Sequence, residues 1–165
     1  MIRAEIKWLQ LEALTGYQKL TGEVQVRGLL RETLNDPEPH IRVRNVATEP
    51  LLPGAPRLSS VPDGLVNKAY IGLISPLEPE PATPGDEPQE LQRQFALVQG
   101  TNFTVRAWAQ FPPAADPNLH SDLLLRSRFF HLVDAAVGVV GAEGVSWQRP
   151  DVWVNRDLLV ALYLG

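Results

Sequence analysis

The sequence has no cysteine. Disulfides, thiolate metal sites and cysteine nucleophiles are thereby excluded. The absence suits a reducing compartment, so a cytoplasmic location is expected. No run of about 18 apolar residues occurs, and charge begins at Arg3 and Glu5. Neither a membrane-spanning helix nor a secretory signal is expected. Lysine is scarce: Lys7, Lys19 and Lys68 stand against 12 arginines. Histidine is equally scarce, and His40, His120 and His131 have no fellow ligand at short helical or hairpin spacing. A metal needs several donors converging on one point, so neither metal nor cofactor is expected. No serine lies in a nucleophile-elbow context; Ser59-Ser60 sits in a proline-rich loop. Gly138-Val-Val-Gly141-Ala-Glu-Gly144 runs into Val145-Ser146-Trp147, a strand pattern. A phosphate loop would open a helix instead, so a hairpin is the better reading. An enzyme is therefore the least expected class, and no catalytic residue is assigned.

What the chain does have is apolar mass and proline. Apolar residues make up 44% of its 165 positions, enough to bury a core. The segment from Pro76 to Pro88 holds five prolines, and residues 76–90 carry five carboxylates without a single base. Proline removes backbone donors and like charges repel, so this stretch reads as an extended acidic linker. The remainder is close to neutral, and net charge argues neither for nor against nucleic acid.

The sequence on the two sides of that linker corresponds. Val24-Gln-Val-Arg27 matches Phe103-Thr-Val-Arg106. Ile41-Arg-Val-Arg-Asn-Val46 matches Phe130-His-Leu-Val-Asp-Ala135, and Leu65-Val-Asn-Lys68 matches Trp153-Val-Asn-Arg156. Matches kept in order argue for a duplicated unit. Most segments alternate with a period of two, the strand signature. Ile2, Ala4, Ile6 and Trp8 show it, as do Val24 and Val26, Ile41 and Val43, and Val152 and Val154. Short helices are expected over Leu29–Leu34, stopped by Asn35-Asp36-Pro37, and over Asp122–Phe130. A third is expected over Glu87–Val98, although Phe95–Val98 could equally open a strand. The expected fold is mainly β with one to three short helices. It comprises two tandem small β-barrel or β-sandwich-like units, residues 1–75 and 91–165, packed as a pseudo-two-fold pair about the linker at 76–90.

The most specific feature is the repeated Val-Asn-cation, Val66-Asn67-Lys68 and Val154-Asn155-Arg156, each before an apolar strand. Asparagine bonds its own backbone readily, so one reading is a tight turn kept for geometry. The other is that Asn67, Lys68, Asn155 and Arg156 meet an anionic or polar partner. Arg42 and Arg44, with Arg27 and Arg31, could add a basic stripe, although Glu32, Asp36 and Glu38 lie close in sequence. These are the candidate binding residues.

The succession Arg27-Gly-Leu-Leu, Leu34-Asn35-Asp-Pro, Ile41-Arg-Val-Arg-Asn45 and Val66-Asn67-Lys68-Ala-Tyr-Ile71 resembles a bacterial family of small β-rich domains of unknown function. Phe129-Phe-His-Leu-Val-Asp134 and Val154-Asn-Arg-Asp-Leu-Leu159 match its later parts. That resemblance implies a compact β-domain and no known activity. More loosely, a short helix, bent strands and a terminal strand introduced by asparagine plus a base are similar to the Sm-like small barrel, which binds RNA at that turn. This likeness implies RNA contacts at Asn67, Lys68, Asn155 and Arg156. The leading expectation is a non-enzymatic protein–protein interaction or assembly module, engaging another chain or a second copy of itself. The apolar stretches Tyr70–Ile74 and Leu158–Leu164 and exposed tryptophans would serve as contacts, while at least two of Trp8, Trp108, Trp147 and Trp153 are expected to fill the core. The alternative is nucleic-acid or small-ligand binding through the Asn-plus-cation turns.

Overall fold

The structure, a computed structural model, describes residues 5–80, 90–142 and 146–165. The chain divides into two compact units, Met1–Glu80 and Pro81–Gly165. In the first, β1 (Ile6–Thr15) and β2 (Gln18–Arg27) form a hairpin, followed by α1 (Leu30–Asn35). Then come β3 (His40–Pro50), β4 (Gly64–Asn67), a 3₁₀ turn (Lys68–Tyr70) and β5 (Ile71–Pro76). The strands lie side by side as β5-β1-β2-β3-β4, every neighbouring pair antiparallel.

The second unit comprises β6 (Gln92–Gly100), β7 (Phe103–Phe111), a 3₁₀ turn (Pro117–Leu119) and α2 (His120–Leu124). It continues with β8 (Phe129–Val139), β9 (Ser146–Asn155), a 3₁₀ turn (Arg156–Leu158) and β10 (Leu159–Leu164). Its order is β10-β6-β7-β8-β9. Neither ladder closes on itself, so the strand-rich expectation holds while the barrel form does not.

Alternation is what makes these strands. On β2, Leu20, Val24 and Val26 point into the core with Gly22 between them, while Gln25 and Arg27 point away. Across the ladder the buried set continues through Leu9 and Leu11 of β1 and Ile41 and Val43 of β3, capped by Leu30 and Leu34 of α1. In the second unit Ala96, Val98, Val105, Ala107, Leu132, Val137 and Val152 do the same. Each fully buried leucine or valine contributes about 1.5–3 kcal/mol.

Both long third strands carry a bulge at the same place. Asn45 and Asp134, each the sixth residue of its strand, have φ of 52° and 51°, and the register of β2–β3 and β7–β8 shifts beside them. Asparagine and aspartate enter this left-handed region more cheaply than other side-chain-bearing residues. Opposite the first bulge, Gly22 leaves the room required: a Cβ there would stand 3.0 Å from the Arg44 carbonyl oxygen.

Four expectations need correction. Gln92–Gly100 is a strand and not a helix, because β7 and β10 pair with its two edges. The second helix covers His120–Leu124, earlier than Asp122–Phe130. The linker does not begin at Pro76: the Leu77 amide donates to the Gln10 carbonyl, Glu78 accepts from the Gln10 amide, and Glu80 accepts from the Leu30 amide. Of the tryptophans only Trp153 is buried; Trp8 and Trp147 are half-buried and Trp108 is exposed. Ile2 and Ala4, most of the acidic segment and the tip of the 141–144 hairpin lie outside the described residues.

Candidate functional site

The Val-Asn-cation motif builds the same turn in each unit. Asn67 ends β4 and its Oδ1 accepts from the Ala69 amide at 2.9 Å; Asn155 ends β9 and accepts from the Asp157 amide at 2.9 Å. Each asparagine thus satisfies an amide at the start of a 3₁₀ turn that the turn itself leaves unpaired. The following residue closes a second contact through its own amide. Lys68 N–H donates to the Pro39 carbonyl at 2.9 Å, and Arg156 N–H donates to the Arg128 carbonyl at 2.8 Å. Both acceptors stand one residue ahead of the third strand of their unit.

The cationic side chains then reach back to the loop after the short helix. Lys68 Nζ donates to Asp36 Oδ1 at 2.6 Å and to the Asp36 carbonyl at 3.3 Å. Arg156 Nη1 donates to the carbonyls of Leu125 and Arg126 at 2.9 and 2.8 Å. The burial differs. Lys68 is 0% exposed, whereas Arg156 lies at the surface. Lys68 therefore offers no surface to a partner, and the Arg156 guanidinium already clamps its own chain. In both turns the asparagine and the cation bond within their own unit, as the geometric reading of the motif expects.

Arg42 and Arg44 are placed differently again. Arg44 Nε and Nη2 donate to the two carboxylate oxygens of Glu23 across the ladder, at 3.1 and 3.3 Å. Its guanidinium lies 4.1 Å from the centre of the Trp8 ring, and Asn45 Nδ2 also donates to Glu23 Oε2 at 2.7 Å. The Arg44 guanidinium, with help from Asn45, holds the Glu23 carboxyl below its ordinary range. Arg42 is exposed and, among the described residues, pairs with Asp63 at 3.7 Å.

A pocket of about 290 Å³ opens at the helix end of the first unit. Its floor is one face of β2, β3 and β4, where alternation puts Gln25, Arg27, His40, Arg42 and Leu65 on the same side. Thr33, Asp36 and Glu38, from α1 and the loop after it, complete the wall. Of the sequence-derived basic stripe, Arg27 and Arg42 line it. Gln25, Glu38 and His40 were not assigned to binding by any motif; their signal is their place on, or just ahead of, strands flanking the short helix.

The remaining histidines have separate surroundings. His120 is buried, stacks 3.8 Å from the Phe111 ring, and its Nδ1 is 2.7 Å from Gln94 Oε1. His131 Nε2 is 2.7 Å from Asp151 Oδ1, with the ring stacked 4.5 Å from Trp153. This pair occupies the position of Arg42 and Asp63 in the first unit, since Arg42 opposes Leu65 as His131 opposes Trp153. Among the described residues no group of three or more metal-ligating side chains converges.

The second unit presents a face with no counterpart in the first. On β6, Phe95 and Leu97 point away from the buried Ala96 and Val98; on β7, Arg106 and Trp108 point away from Val105 and Ala107. Tyr163 of β10 lies opposite Leu97, and Phe95 opposite Trp108. Phe95 and Trp108 meet edge to face, centroids 5.7 Å apart. Tyr163 is 56% exposed, Phe95 39% and Trp108 39%. The three strands contain no carboxylate. On the corresponding strands β1 and β2 the first unit carries Trp8, Gln10, Glu23 and Gln25, a more polar set, with Glu23 paired to Arg44 of β3 as Arg93 of the second unit is paired to Asp134 of β8.

Comparison with known proteins identifies no relative: no protein-family model, curated protein or solved structure matches the chain. Among the described residues no helix is long and apolar enough to cross a membrane.

Proposed function

We propose that this chain is a non-enzymatic protein-interaction or assembly module, built from tandem copies of one β unit, and that the second copy makes the contact. The observation that carries the reading is the face bearing Phe95, Trp108 and Tyr163, three rings left in water beside Arg106 and the Arg93–Asp134 ion pair. Tryptophan, tyrosine and arginine are the residues that anchor protein interfaces, and contiguous exposed apolar surface marks such contacts. β10 adds a second element. It is the last strand of its unit's ladder and holds only apolar residues, so its outer edge suits pairing with a strand of another chain. The other apolar stretch is unsuited, because Ile71, Leu73 and Ile74 of β5 are fully buried and β5 pairs with β1. The matching strand order, the paired bulges and the twin asparagine-capped turns support duplication of the unit. Nucleic-acid binding at those turns is the weaker reading, since both cations are spent within the chain.

Site-specific photo-crosslinking in the source cell tests the proposal. A crosslinker at Leu97 is expected to trap a discrete protein adduct, lost on combining it with Trp108→Ser and Phe95→Ser. The same crosslinker at the exposed Glu49 of β3 is expected to trap none. Equal trapping at both positions, or trapping at Leu97 that the two serines leave intact, refutes the reading.

A further inference from the structure

We infer that the pocket of the first unit is a binding site for a small phosphate- or carboxylate-bearing ligand, held by Arg27 and Arg42. This goes beyond the protein-interaction reading and rests on other residues.

Four of the polar side chains that line the pocket have no hydrogen-bond or ion-pair partner among the described residues: Gln25, Arg27, Glu38 and His40. Among the described residues Arg42 has the long contact to Asp63, both groups more than half exposed. Such a pair contributes little and yields easily to a better acceptor. Asp36 is the acidic residue that would most oppose an anion, and its carboxylate is already committed. It accepts from Lys68 Nζ at 2.6 Å and from the Glu38 amide at 3.0 Å. With Asp36 neutralised by the buried ammonium, two guanidinium groups, an imidazole and a primary amide face one uncommitted carboxylate, that of Glu38. Guanidinium groups match the planar or trigonal oxygens of carboxylates and phosphates through paired hydrogen bonds. Leu65 supplies apolar wall for the body of the ligand. The volume of about 290 Å³ admits a small metabolite-sized molecule. At the position equivalent to Arg42 the second unit also keeps a basic side chain, His131.

Amide chemical shifts of the full chain, recorded by NMR during titration with inorganic phosphate and, separately, with acetate, test the site. Sodium chloride at matched ionic strength is the control. Saturable shifts confined to the amides of Gln25, Arg27, His40, Arg42 and Leu65 are expected. The stronger of the two anions identifies the head group. Arg27→Gln and Arg42→Gln, both at exposed side chains, are each expected to weaken binding about tenfold. Glu38→Gln is expected to tighten it. Shifts that fail to saturate, that chloride reproduces, or that survive both arginine substitutions overturn the inference. Crosslinking at Leu97 is unaffected by any of these outcomes.

Discussion

Removing the carboxylate of Asp36 is expected to cost more stability than removing the lysine it serves. Lys68 Nζ donates to the carboxylate and to the carbonyl of Asp36 and has no exposed surface, whereas a third of the Asp36 side chain is in water. Asp36→Asn takes its described carboxylate partner from a buried ammonium, a change that typically costs about 3–5 kcal/mol. The partial exposure of the site lets water help, so the lower end, about 3 kcal/mol, is expected. Lys68→Met removes the buried charge itself and fills the same channel with an unbranched apolar chain. Its loss is a charge-assisted bond, about 1.5–3 kcal/mol, offset by the ammonium no longer being stripped of water. The net cost expected is about 1 kcal/mol. The double variant is expected to be no worse than Lys68→Met alone. Urea unfolding at neutral pH, followed by tryptophan fluorescence, gives all four stabilities and the coupling between the sites. If Asp36→Asn proves no costlier than Lys68→Met, the ion pair does not compensate the buried charge, and the reasoning fails.

Other outcomes follow from the same geometry. Asn67→Ala and Asn155→Ala each strip a cap from a 3₁₀ turn and are expected to lower stability by about 1 kcal/mol in the same unfolding assay. Glu23 titrates below its ordinary 4.5 because Arg44, then Asn45, favours the ionised form. Its contribution is therefore complete above about 4.5 and is lost as pH falls through the lowered folded value. Glu23→Gln is expected to flatten that acid limb, measured as urea midpoint against pH; an unchanged slope would contradict the assignment. Asn45→Ala is expected to cost about 1 kcal/mol more than Asn45→Gly, because both lose the Glu23 bond while only alanine is strained at positive φ.

The strands were legible wherever one face is core and the other is water. Val24 and Val26 against Gln25 and Arg27 is such a case, and so is β3 from Ile41 to Val43. Gln92–Gly100 was harder to read because both its faces are apolar in part, so Leu91, Phe95 and Val98 fell at helical spacing by coincidence. The faces separate only once β7 and β10 are seen on either side. Asn45 and Asp134 suggest strand ends in sequence, yet the strands continue through them as bulges, because the partner strands yield a residue there. The turn reading of Asn67 and Asn155 matches their caps. What sequence could not show is that Lys68 would find its carboxylate 32 positions earlier and vanish beneath it. The arginines of the pocket were visible as residues, but only the fold of α1 over β2 and β3 makes them a cavity.

The concealment of Lys68 gives the protein a built-in clock for its own opening. Only Lys7, Lys19 and Lys68 carry side-chain amines, and the first two are reachable from solvent while the third is not. An acylating reagent should therefore modify two side chains at once and the last only as fast as the turn before β5 lets go. Mass spectrometry of that final addition would time the release of a single structural latch without any engineered label.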